Sequence, residues 1–407
     1  MTREQELLIE LLAHSISGSE IEFNTENIDW QALIDESIAQ TVCLVAFDCA
    51  ISLKNKMPEH IYTQWFNHAY RFIAVNSLVE KSQKELTKML LKGDFPYVIL
   101  KGLSSASFYE KSELRMLGDV DFLIQNDKKQ QIKEVLIKDG YEASHENHIC
   151  HIVFTKPKAH LEMHFEISGI PSGENGDIIR EYMKDAIENA VEKTHAEQSF
   201  FAPTDYHHAV ILLLHMQHHM LGEGIGLRQL MDWACFVHKT YDMPFWCEKV
   251  IPILQKVGLF EFANVFTALC VKFFKINAPS WITPREDQLL NELLEDIFSA
   301  GNFGKKDKKR TGSGMMISNR GKDGTQKGKI YYLNKTLVNS SFELYPITKK
   351  YKILLPFVNF YRVLRYIFLR CIGKRTSLIG AISLAEKRKA LYRSLHIFEV
   401  NGNERRG

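Results

Sequence analysis

The chain has 407 residues, 45% of them hydrophobic and 25% charged, which is typical of a folded globular protein with two or three units. A formal net charge of only +2 excludes the strong global charge of many nucleic-acid-binding proteins. The seven cysteines show no CxxC spacing, and the N-terminus has no apolar segment. No apolar run reaches the length of a membrane span. The sequence therefore predicts a cytoplasmic protein without a transmembrane segment.

Hydrophobic periodicity changes several times along the chain. An unusually long helix is predicted from Glu59, just after Pro58, to Lys92. The patterns predict five regions: an N-terminal helical region (1–93), a small αβ core (94–177), a helical domain (178–299), a flexible glycine- and lysine-rich loop (300–329) and a C-terminal helical region (330–407).

The αβ core begins with a buried strand, Tyr97–Leu100, that ends at a glycine turn. Lys101 and Gly102 precede a short helix, Leu103–Tyr109, that opens with serines. Backbone N–H groups at such a turn attract anions, and a glycine lets a phosphate approach the backbone closely. The turn therefore predicts a phosphate site to which Lys101 adds charge, although many αβ connections look like this without binding a ligand.

Two aspartates lie one residue apart in the apolar run GDVDFLI. Asp119 and Asp121 alternate with Val120, Phe122 and Ile124, the period of a strand whose two acids share one face. Such side chains lie about 7 Å apart, so their charges raise each other's pKa unless a cation is present. The pattern predicts a Mg²⁺ site, with a solvated strand edge as the alternative.

A third acid follows in a strictly alternating segment, His160 to Ile167, where Glu162 and His164 share the polar face. The preceding strand is predicted at His148–Thr155, and pairing Thr155 with Ala159 is the assumed register. That register places Cys150 opposite His164 and Ile152 opposite Glu162. A zinc site formed by His148, Cys150 and His164 is then a minor alternative.

The segments LKG, Arg115, GDVDFLI and a strand of the form hydrophobic-Glu-hydrophobic-His resemble the uncharacterised bacterial branch of the nucleotidyltransferase superfamily, which shares its core with DNA polymerase beta. The resemblance covers about 97–170, with weaker likeness in the helices near His215 to Asp232. It implies an α+β fold with a small mixed sheet flanked by helices. It also implies an enzyme that transfers a nucleoside monophosphate (NMP) from a nucleoside triphosphate (NTP), using two Mg²⁺ ions with Mn²⁺ as the alternative.

Carried over to this sequence, the resemblance implies three metal ligands, Asp119, Asp121 and Glu162. It implies that Gly102, with Ser104 or Ser105, holds the triphosphate, because Leu103 stands where a serine would directly follow the glycine. Arg115 is a further phosphate candidate whose alternative is an ion pair with Glu113 or Asp119.

Five histidines share one face of the helix predicted at Tyr206–Met220: His207, His208, His215, His218 and His219. A packing face is the favoured interpretation, ahead of a substrate wall or a metal site. On the next helix, Arg228 and Asp232 are four residues apart and could pair, or Asp232 could be a general base. In the resembling family a helical domain behind the catalytic sheet contacts the acceptor. The resemblance therefore implies that His164, His215, Arg228 and Asp232 lie on the acceptor side of the site.

The loop at 300–329 is interpreted as a linker, with a lid over the triphosphate as the alternative. Residues 357–374 form an amphipathic basic helix, expected to pack on the protein, with peripheral membrane contact or a nucleic-acid patch as alternatives. The expected acceptor is a small molecule, a saccharide or a protein. The rival hypotheses are a catalytically inactive nucleotide-binding regulator and an RNA-modifying nucleotidyltransferase.

Overall fold

The structure is a computed structural model that describes residues 1–146, 148–171, 173–307, 310, 338, 341, 345, 347–371 and 378–397. Its helices are α1 (Arg3–Ser17), α2 (Trp30–Ala39), α3 (Cys43–Ala50), α4 (Glu59–Lys92), α5 (Leu103–Ala106), α6 (Lys129–Lys138), α7 (Glu174–Met183), α8 (Asp205–Leu221), α9 (Leu227–Thr240), α10 (Ile251–Lys256), α11 (Phe260–Phe274), α12 (Asp287–Ala300), α13 (Ile347–Lys350), α14 (Leu355–Cys371) and α15 (Leu378–Ser394). The strands are β1 (Tyr97–Ile99), β2 (Val120–Ile124), β3 (Glu142–Ser144), β4 (His151–Lys156), β5 (Ala159–His164), β6 (Val191–His195) and β7 (Gln198–Ala202).

Five strands form one mixed sheet in the order β1-β2-β5-β4-β3. Strands β2 and β5 run parallel, and the other neighbours in the sheet are antiparallel. Helices flank the sheet, so the predicted α+β fold with a small mixed sheet is confirmed.

The sheet separates two hydrophobic cores. Phe122 and Met163 point into the smaller core, which is closed by α6 and the end of α4. Val98 and Leu123 point to the other side, into the large core built by the helices. Because side chains alternate along a strand, Asp121 must share the side of Leu123, facing the helical domain.

The register of the β4–β5 hairpin differs from the predicted one by one residue. Lys156, not Thr155, pairs with Ala159, and the turn is the two-residue Pro157–Lys158. Lys158 adopts a left-handed conformation with φ 67°. A shift of one residue exchanges the two faces of a strand, so the predicted pairing of Cys150 with His164 is wrong. His151 lies opposite His164 instead.

The region at 178–299, predicted as a helical domain, is not helical throughout. Strands β6 and β7 form an antiparallel hairpin there. Its two turn residues, Ala196 and Glu197, both have positive φ, 45° and 62°, as a type I′ turn requires. The turn contains neither glycine nor asparagine, so the sequence carries no ordinary hairpin signal.

Most of the predicted loop at 300–329 lies outside the described residues. In the C-terminal region, the side chains of Phe357 and Phe360 on α14 are 73% and 66% exposed, so the expected packing of this apolar face is wrong at these two positions. The side chains of 366–371, and the residues that follow to 377, lie outside the described part. Among the described residues, no helix is sufficiently long and apolar to cross a membrane.

Candidate active site

The three predicted acids converge on one face of the sheet. Asp121 on β2 lies directly beside Glu162 on β5, and Asp119 lies two residues earlier on the same side. Ligand-capable oxygen atoms of the three residues all lie within 4.8 Å of one another. Convergent carboxylates at this spacing are the donor set that a hard divalent cation such as Mg²⁺ prefers.

Asp121 is the buried centre of this acidic triad. Its Oδ2 lies 3.1 Å from the ammonium nitrogen of Lys101, and its Oδ1 accepts a hydrogen bond of 3.0 Å from His164 Nε2. Burial raises the pKa of Asp121, but the Lys101 charge and the His164 hydrogen bond outweigh it, so the pKa is held well below its usual value. Asp121 is therefore an anion throughout the physiological range.

The other two acids of the triad are shifted in opposite directions. Burial and the Asp121 charge raise the pKa of Asp119. For Glu162, burial acts in the same direction but is outweighed by the hydrogen bond from His164, and the pKa is lowered. A bound cation would remove the cost of holding Asp119 ionised beside Asp121, which is consistent with a metal site.

His164 was expected on the acceptor side, but it lies between the acids. Its Nε2 donates to Asp121 and is 3.5 Å from Glu162 Oε2, and the side chain is 2% exposed. Burial lowers the pKa of His164, but the hydrogen bonds to Asp121 and then Glu162 outweigh it and raise the pKa. His164 thus positions two of the three acids.

The glycine turn lines the same site. Gly102 has φ 61°, a conformation that disfavours any L side chain, and a Cβ there would meet no atom within 4 Å. The structure places Ser104 and Ser105 elsewhere: Ser104 Oγ donates to the carbonyl of Ile99, and Ser105 contacts His208. Both serines are 1% exposed, and α5 has only four residues, so the turn offers backbone and Lys101 rather than hydroxyls.

Arg115 and Asp232 form a buried bidentate ion pair. The guanidinium Nε and a terminal nitrogen donate to the two carboxylate oxygens, each at 2.7 Å, and Tyr109 also donates to Asp232. Arg115 therefore pairs with Asp232, and not with Glu113 or Asp119, the two partners predicted from the sequence. Burial raises the pKa of Asp232, but Arg115 outweighs it and lowers the pKa. A carboxylate held in this way is a poor general base.

Helices α8 and α9 form the wall opposite the triad. His207 and His208 are buried by packing, whereas His215 lies at the site and accepts a hydrogen bond of 3.1 Å from Lys101 Nζ. The Arg228 guanidinium donates to the carbonyl of Met116 at 3.3 Å, and its Nε has no hydrogen-bond partner among the described residues. Arg228 thus keeps one buried guanidinium donor, Nε, beside the cleft without a hydrogen-bond partner from the described part of the chain.

Together these groups enclose a cleft of about 250 Å³. Its lining is strongly polar and combines the acids with cationic and imidazole side chains: Lys101, Gly102, Arg115, Gly118, Asp119, Asp121, Glu162, His215, His219, Glu223, Arg228, Gln229, Asp232 and Phe303. Anionic metal ligands facing cationic groups across one cleft are the arrangement that a metal-bound polyphosphate requires.

The model of a family described as uncharacterised nucleotidyltransferases matches residues 26–275, more than half of the chain. The chain belongs to this family. The match includes the whole five-stranded sheet and both helices of the cleft wall, so every lining residue of the cleft except Phe303 lies within the matched segment. No curated protein matches the chain.

Sequence reasoning missed one side chain beside the triad of this nucleotidyltransferase family member. His151 of β4 lies opposite His164, with ring centroids 5.1 Å apart. Burial and the His164 charge lower the pKa of His151 to about 4. The alternation of β4 could have revealed His151, but only if the two-residue turn had been recognised.

Proposed function

We propose that this protein transfers an NMP from an NTP to an acceptor hydroxyl or phosphate and releases pyrophosphate. The observation that supports this best is the convergence of Asp119, Asp121 and Glu162 within 4.8 Å, on a cleft whose other walls carry Lys101 and Arg228. Two Mg²⁺ ions, with Mn²⁺ as the alternative, would be held by the three acids and would supply activation of the acceptor oxygen and neutralisation of the triphosphate.

The chain itself binds and orients the NTP in this proposal. The backbone at Gly102 admits a phosphate closely, because no side chain covers it. Lys101 pairs with Asp121. If Asp121 held a metal ion, the Lys101 ammonium group would be available to contact a phosphate oxygen. Arg228 adds guanidinium donors on the facing wall, and the Arg115–Asp232 pair fixes that wall relative to the sheet.

His164 keeps the acids in place during this reaction. Its Nε2 donates to Asp121 and lies close to Glu162, so it sets the spacing of two ligands from the adjacent parallel strands. The acceptor remains a small molecule, a saccharide or a protein in this proposal.

A mass-spectrometric screen tests the proposal. The full chain is incubated with Mg²⁺ and each NTP in turn, against cell extract, and transferred NMP and released pyrophosphate are measured. Asp121→Asn should abolish both signals. Asp127→Asn is the matched control, because Asp127 is largely exposed beside Lys128 and away from the cleft, and it should retain both. Equal signals from wild type and Asp121→Asn would overturn the proposal.

A nucleotide-binding regulator is the second candidate, favoured by one observation. Lys101 and His164 supply counter-charges to Asp121, so this one acid of the triad does not depend on a metal for compensation. Isothermal titration calorimetry that shows Mg²⁺-dependent NTP binding, with no pyrophosphate release against any extract, would select this candidate.

A further inference from the structure

The β4–β5 hairpin brings a second set of metal-ligating side chains beside the acidic triad. His151 and His164 face each other across the two strands, and Glu162 lies on the same face. Ligand-capable atoms of the three residues lie within 4.8 Å of one another. Ligands of one zinc ion lie about 3–4 Å apart at bond lengths near 2.1 Å, so small side-chain rotations close this set around an ion.

His151 carries the independent sign of a ligand at this place. Its Nδ1 is buried and has no hydrogen-bond partner among the described residues. A buried imidazole nitrogen without a partner is costly, and a bound ion would satisfy it. The ring of its neighbour His148 lies against it at a tilt, with ring centroids 4.0 Å apart, but His148 Nδ1 already accepts a hydrogen bond from the backbone N–H of Cys150.

We propose that His151, Glu162 and His164 form a site for a divalent transition-metal cation of the zinc class. Two imidazoles with one carboxylate favour such ions over Mg²⁺, which prefers oxygen ligands alone. Three protein ligands leave a fourth position of a tetrahedral ion open, as in zinc sites that accept water or substrate.

The site shares Glu162 with the acidic triad. An ion held by the two histidines takes the place of the proton that His164 Nε2 donates to Asp121, which is released to solvent, and draws Glu162 away from Asp119 and Asp121. We therefore expect zinc to inhibit Mg²⁺-dependent transfer. This consequence rests on the proposed function, whereas the binding itself does not.

Co²⁺ is the probe, because low-coordinate Co²⁺ with imidazole ligands absorbs visible light strongly and octahedral Co²⁺ with oxygen ligands absorbs weakly. The tag-free full chain is titrated with Co²⁺, and Zn²⁺ is then added as a competitor. Wild type should show strong bands at one equivalent, which Zn²⁺ abolishes. His151→Gln should weaken Co²⁺ affinity at least about 10-fold, and His151→Cys, which restores a zinc ligand, should recover it.

Two further variants sharpen the test. His160→Gln is the matched control, because His160 lies on the same face of β5 but is exposed and outside the cluster, and it should bind Co²⁺ like wild type. Asp119→Asn should lose Mg²⁺-dependent nucleotide binding and keep the strong Co²⁺ bands.

Unchanged affinity in His151→Gln, or equal losses in His151→Gln and His160→Gln, would overturn the zinc site. Far-ultraviolet circular dichroism establishes that each variant is folded. Because these outcomes are read from Co²⁺ spectra and not from transfer, failure of the zinc site and failure of the proposed nucleotidyl transfer are distinguishable.

Discussion

Removing the charge of Asp232 should destabilise the protein strongly, because Asp232 neutralises Arg115 in the interior. The two side chains are 7% and 5% exposed and are joined by two hydrogen bonds of 2.7 Å. Breaking such a buried pair by removing one partner leaves an uncompensated charge and costs about 3–5 kcal/mol. We expect Asp232→Asn to lose about 3 kcal/mol of unfolding free energy, the low end of this range, since the amide oxygen can still accept from Arg115 and Tyr109.

Urea unfolding followed by circular dichroism measures this loss. Asp177→Asn is the control, because Asp177 pairs with Arg180 at the surface with 76% exposure, and it should cost less than about 1 kcal/mol. The double variant Arg115→Met with Asp232→Leu removes both charges and should be more stable than Asp232→Asn alone. A loss below about 1 kcal/mol for Asp232→Asn would refute the reasoning and would reopen a catalytic role for this residue.

Three further predictions follow from single side chains. Gly102→Ala should cost about 1–3 kcal/mol of unfolding free energy, because the residue has φ 61°. The same variant should weaken NTP binding measured by calorimetry. Wild-type stability and wild-type affinity would contradict the role of Gly102 in phosphate binding. Lys101→Met should lower the melting temperature, and Mg²⁺ should raise it more than in wild type, because the ion replaces the lost partner of Asp121. Burial lowers the pKa of His208 to about 3. Below about pH 6.5 the unfolded state therefore binds a proton that the folded state does not, and the free energy of unfolding falls by about 1.4 kcal/mol per pH unit toward acid. His208→Phe should remove this pH dependence in urea unfolding between about pH 5 and 7, and an unchanged slope would contradict the prediction.

The local pattern of the sequence was sufficient to predict the triad and the longest helix. Period-two alternation fixed the common face of Asp119 and Asp121, and the same alternation singled out Glu162. The bounds of α4, from Glu59 after Pro58 to Lys92, also agree with the structure. In these cases the information lies within a few residues.

Non-local pairing and unusual turns were not predictable in the same way. Arg115 and Asp232 are 117 positions apart, so no spacing rule connects them. The register of β5 depends on whether Lys158 adopts positive φ, which lysine rarely does. That single conformation decides whether Cys150 or His151 faces His164.

The role of Glu162 tests the central claim most directly. NTP binding and NMP transfer are measured side by side, with Mg²⁺, for wild type and for Glu162→Gln. The matched control is Glu166→Gln, since Glu166 pairs with Arg180 at 2.8 Å outside the triad. We expect Glu162→Gln to retain most NTP binding and to abolish transfer, while Glu166→Gln keeps both. Wild-type turnover in Glu162→Gln would contradict the account.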